Sequence, residues 1–179
     1  MSRESLIADI KAMIGKETPV RCLGEVYARD IRRFAQAVGD FNRLYIDEEY
    51  AKKSRYKGII APPLFYISLV YDRGTQAIIQ DDGAFLIPQE RDKGICVMVG
   101  GIPIPQLPGT MMFAEREVSF PQPIRPGDII SVSGKLDDVY EKEGRKGTKL
   151  TFAVGTNTYT NHRGEVVVRE RVTGVGKEG

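Results

Sequence analysis

The segments "MMFAEREVSF", "DIISVSGKLDDVY", "TKLTFAVGTNTYT" and "EVVVRERVTG" alternate apolar and polar residues. A period of two puts alternate side chains on one face of an extended chain, so each segment reads as a half-buried strand. The connecting stretches "PQPIRPG", "EKEGRKG" and "NHRG" are turn chemistry. Pro126-Gly127 fits the two central positions of a type II turn, because proline fixes the first φ and glycine accepts the positive second one. The long strands therefore form an antiparallel meander, with one apolar face to be covered.

The first half of the chain supplies the cover. Leu6, Ile7, Ile10, Met13 and Ile14 recur at helical spacing with Gly15 as a stop, which predicts an N-terminal amphipathic helix. A short strand follows near Arg21 to Tyr27. Asp30 is then expected to cap a second helix with Ile31, Phe34, Ala35 and Val38 on one face, ended by Gly39. Asp47 reads as the N-cap of a short helix beginning at Glu48. From Pro62 onward, Leu64, Ile67, Ser68 and Tyr71, then Thr75 and Ile78, predict a long, largely covered helix with proline in its first turn. Between Asp81 and Thr110 the periodicity is lost, and the prolines of "GGIPIPQLPG" argue for a long excursion rather than a second domain. One long apolar helix and a meander bury each other best when the sheet curls around the helix. The expected fold is thus α+β, a hot-dog arrangement in one domain over residues 1–179.

Composition excludes several function classes. With 179 residues and 41% hydrophobic content, the chain buries one sizeable core. Its 26 basic and 24 acidic residues balance to +2, so no global charge draws it to nucleic acid or an anionic membrane. The most apolar run, Ile59 to Tyr71, is broken by Pro62 and Pro63 and is shorter than the roughly 20 residues of a membrane span. Cys22 and Cys96 stand far apart without ligand spacing, which predicts a reducing cytoplasm, no metal and two small buried side chains. The start of the chain does not read as a signal peptide.

The motifs "FAQAVGDFNRLYIDEEYA", "GIIAPPLF" and "FPQPIRPGD" resemble the MaoC-like hot-dog family of enoyl-thioester hydratases and 3-hydroxyacyl dehydratases. The segment "DEEYAKKSRYKGIIAPPLF" is similar to its FAS1-like, N-terminal MaoC dehydratase branch. The likeness runs from about Lys16 to the last strand. The family motif is D-x-N-P-x-H, followed about seventeen residues later by H-G at the start of the central helix. There the resemblance implies that Asp and His activate water or take the α-proton, while the glycine amide binds the thioester oxygen. Asp40 falls on the family aspartate and Asn42 on the asparagine; Arg43 replaces the proline, and Tyr45 stands where the histidine belongs. Pro62 and Pro63 take the positions of the second histidine and the oxyanion glycine. Proline has no N–H to donate, and tyrosine with a pKa of about 10 is a poor general base.

Each residue has a structural reading beside the functional one. Asp40 is either catalytic or a hydrogen-bonding turn residue, and Asn42 either a participant or a turn stabiliser. Tyr45 is either a pocket wall or a weak substitute acid. Ala61, Pro62, Pro63 and Leu64 are expected to contact the acyl thioester. Lys52, Lys53, Arg55 and Lys57 either meet phosphates of coenzyme A or an acidic carrier protein, or form a solvated face. His162, the only histidine, belongs to the turn "TNHRGE" and reads as exposed. The resemblance implies an acyl-thioester-binding subunit without cofactor, its weakened site completed by a second hot-dog subunit. The rivals are a self-sufficient homodimeric hydratase using Asp40, a non-enzymatic acyl-thioester binder, and a thioesterase for which Asp72 would have to serve.

Overall fold

The computed structural model describes residues 3–76, 97–99, 102–104 and 110–177. Cys96, Ile78 and most of the Asp81 to Thr110 excursion lie outside them.

The four long strands of the second half meet as expected. Strands β4 (Thr110–Ser119), β5 (Ile129–Glu143), β6 (Lys149–Thr160) and β7 (Val166–Lys177) join β1 (Arg21–Glu25) in one antiparallel sheet of order β1-β5-β6-β7-β4. Within the excursion, β2 (Val97–Val99) and β3 (Ile102–Ile104) pair antiparallel with Val97 opposite Ile104. Gly127, at φ +86, occupies the turn position that requires a positive φ, and the Asp128 N–H closes the turn onto the Arg125 carbonyl at 3.1 Å.

The central helix α5 (Phe65–Gln76) lies on the inner face of this sheet. Phe65 and Tyr66, each 1% exposed, pack among Ile130, Tyr159 and Val168, so the hot-dog arrangement follows from burying the one apolar helix against the alternating face. The N-terminal helix α1 (Arg3–Lys11) buries Ile7 and Ile10 against Leu136, Val139 and Ala153. Ala153 and Tyr159 share a face of β6 by parity, so α1 covers the far end of the face that α5 covers.

Helix α2 (Ala28–Ala37) ends as its glycine predicts. Gly39, at φ +71, donates to the Gln36 carbonyl and Asp40 donates to Ala35, the paired bonds of a Schellman motif. Its start differs from expectation: Tyr27 is the N-cap without a side-chain bond, and Asp30 is already inside the first turn, paired with Arg29 at 3.0 Å. Asp30 there complements the helix dipole instead of capping it. The two prolines also precede α5 rather than occupying it; the Pro62 carbonyl accepts the Phe65 N–H at 3.0 Å and forms the turn into the helix. Cys22 is exposed, not buried, because β1 is an edge strand and alternation turns Leu23 inward instead.

Candidate functional site

Two short helices between α2 and α5 build one wall of a cleft. Asn42 caps α3 (Arg43–Ile46), its side-chain oxygen accepting the Leu44 N–H at 3.0 Å. Asp47 caps α4 (Glu48–Lys53) by accepting the Tyr50 N–H at 3.0 Å. That bond, then the Arg43 guanidinium 2.7 Å away, holds the Asp47 carboxyl below the usual range. The caps fix the rotation of α3, which turns Tyr45 inward to 8% exposure.

The opposite wall is the Phe120–Arg125 segment that enters β5. The Ala61 N–H donates to the Ile124 carbonyl at 2.8 Å and ties the approach to α5 to this segment. Asp128, 1% exposed, accepts the Arg125 N–H at 2.8 Å and pairs with Arg163 at 3.1 Å. A buried carboxylate thus holds the backbone from which Arg125 reaches the cleft.

Between the walls lies a space of about 700 Å³, within the range typical of small-molecule sites. Of the residues singled out in the sequence, Asn42, Tyr45, Arg55, Ala61, Pro62 and Pro63 line it. Asp40, Lys52, Lys53 and Leu64 do not. Asp40 is exposed, and its carboxylate accepts the Asn42 N–H at 3.2 Å, an Asx turn. Lys52 is held by Glu48 at 3.2 Å and Glu49 at 3.4 Å on the outer side of α4. Arg55 donates to the Tyr56 hydroxyl at 2.6 Å while facing the cleft. Tyr56, Phe120 and Arg125 are lining residues that the sequence reading did not single out, although "FPQPIRPGD" carried the resemblance.

The chemistry available is limited. Burial, then the nearby Asp40 and Tyr56, raises the Tyr45 hydroxyl above its ordinary 10, so it holds its proton at neutral pH. Pro62 and Pro63 offer no amide, and the Ala61 N–H is already spent on Ile124. His162 is exposed in its turn, accepting the Ile129 N–H at 3.3 Å through Nδ1, and is not a lining residue. Among the described residues, no group of three or more His, Cys, Asp or Glu side chains is placed to hold a metal ion, and no helix is long and apolar enough to cross a membrane.

The fold and the motif order agree with a known family. The model of the "FAS1-like, dehydratase domain region" matches residues 12–170, and the chain belongs to this family of MaoC-like hot-dog proteins. It is 27% identical over 134 residues to a UPF0336 protein of Streptomyces coelicolor, covering 75% of each chain. A Thermomonospora curvata protein named "Probable enoyl-CoA hydratase alpha subunit" is 25% identical over 178 residues, 96% of this chain and 51% of that one. Among solved structures, the ChsH1-ChsH2 complex from Mycobacterium tuberculosis superposes with a TM-score of 0.65 at 20% identity, covering 97% of this chain and 90% of that one.

Proposed function

We propose that this chain, as a single cytoplasmic hot-dog domain, is the acyl-thioester-binding and catalytically weakened subunit of an enoyl-thioester hydratase or 3-hydroxyacyl dehydratase of fatty acid metabolism. The observation that carries the reading is a formed cleft whose lining, among the described residues, holds no near-neutral base or oxyanion amide. Asn42, Tyr45, Arg55, Pro62 and Pro63 surround the space, yet none is a near-neutral base and the prolines supply no oxyanion amide. Asp40, the one family acid retained, is spent on a turn and faces solvent.

A second hot-dog subunit supplies what is lacking. Among the described residues, strand β4 pairs with β7 on one side only, leaving an edge of ten residues on which Met112 and Phe113 are exposed. A long edge strand of this kind is stable when another chain covers it. The ligand is a coenzyme A or carrier-protein thioester, its phosphate met by Arg55 and Arg125 at the cleft. The test is co-expression with a hot-dog chain that retains D-x-N-P-x-H. A stable complex is expected to hydrate crotonyl-coenzyme A and to lose activity when the partner's motif aspartate becomes asparagine. A complex that forms but stays inactive contradicts the proposal.

A further inference from the structure

Behind the cleft lies a buried carboxylate that the site does not use. Phe120 lines the cleft and packs edge-on against Tyr66, with ring centroids 6.3 Å apart. Tyr66, on the first turn of α5, meets Tyr159 edge-on at 4.9 Å. Beyond these rings Glu170, 4% exposed, accepts from the Tyr66 hydroxyl at 2.9 Å, the Asn157 amide at 2.9 Å and the Tyr159 hydroxyl at 3.4 Å. Arg116 of β4 balances its charge, with Nε at 3.0 Å. The layers run from cleft to Phe120, to Tyr66, to Glu170.

We infer that this cluster closes the gap between α5 and the sheet to an acyl tail, so that the chain itself holds only the thioester end of the acyl group and gains no affinity from a longer tail. The inference rests on the thioester-binding reading above. A tail passing Phe120 would displace Tyr66 and remove at least one donor from a buried carboxylate. Methylenes have no donor to return, and an under-bonded charge away from water is heavily disfavoured. An apolar gap in the same place would instead reward each buried methylene by about fourfold in affinity.

The experiment compares binding of 2-enoyl-4′-phosphopantetheine thioesters with four-, eight- and twelve-carbon acyl groups, using the chemistry that coenzyme A and carrier proteins share. The expected result is a dissociation constant that changes by less than about threefold across the series. The same flat profile is expected for Phe120→Ala, since Phe120 is 42% exposed and the Tyr66–Glu170 layer stands behind it. Affinity climbing with length in the native chain overturns the inference and leaves the thioester-binding reading intact. Affinity climbing only in Phe120→Ala overturns the assignment to Tyr66 and Glu170. Absence of binding at every length overturns both.

Discussion

The Tyr66 hydroxyl donates to the Glu170 carboxylate across 2.9 Å and joins the first turn of α5 to β7, 104 residues later in the chain. Because Arg116 reaches the same carboxylate from the edge strand, three elements converge on one buried charge. Tyr66→Phe keeps the ring and removes one donor of several. It is expected to lower unfolding free energy by about 1–2 kcal/mol, read as a shift in denaturant midpoint at unchanged slope. An unchanged midpoint would mean that the other donors fully satisfy Glu170.

Alkaline pH tests the same cluster. Burial first, then the Glu170 charge, raises the hydroxyl pKa values of Tyr66 and Tyr159 well above their ordinary 10. Above about pH 10 the unfolded chain releases protons that the folded chain retains, so the unfolded state binds fewer protons and stability falls as pH rises. The contribution is full below about pH 10 and is lost as pH climbs toward the raised folded values. Denaturant midpoints from pH 8 to 11 are expected to fall less in Tyr66→Phe/Tyr159→Phe than in the native chain. Equal slopes contradict the assignment.

Gly39 turns the chain from α2 toward Asp40. A Cβ there would meet nothing within 4 Å, so the φ of +71 is the whole objection to a side chain. Gly39→Ala is expected to cost about 1–2 kcal/mol. A variant as stable as the native chain would show that the helix end can be rebuilt without the left-handed residue.

Much of this architecture was legible in the sequence because it depends on periodicity and turn chemistry. The four alternating segments became β4 to β7, and Asp47 marks a helix start through its side chain and Gly39 a helix end through the lack of one. Asp30 misled because an acid in a first turn and an acid at a cap look alike without the backbone φ and ψ. The cleft was partly legible: "DFNRLY" and "APP" line it in part, but which cations face it depends on the rotation of α4, where Glu48 and Glu49 claim Lys52. Glu170 was hidden in the charged string "RER", although parity with Val168 and Val172 places it on the buried face. Its partners Tyr66, Asn157 and Arg116 lie on three other elements, and no local pattern joins them.

The two cleft arginines and the outer lysines should separate cleanly. Arg55→Ala/Arg125→Ala is expected to weaken crotonyl-coenzyme A binding by about tenfold at low salt and by less at high salt, where screening blunts the attraction. Lys52→Ala/Lys53→Ala is expected to leave binding within about twofold. Equal losses for both pairs, measured by titration calorimetry, would show general surface charge at work.

The proposed cleft for enoyl thioesters lacks, among the described residues, the groups to hydrate them, and steady-state turnover of crotonyl-coenzyme A by the purified chain is the decisive measurement. With no base at Tyr45 and no amide at Pro63, two contributions that together exceed roughly 10⁴-fold are missing. The rate is predicted to stay at the no-protein background, and Asp40→Asn is predicted to leave it there. Turnover of about ten per second or more by the chain alone, abolished by Asp40→Asn, would instead make this a self-sufficient hydratase and overturn the reading of a weakened site.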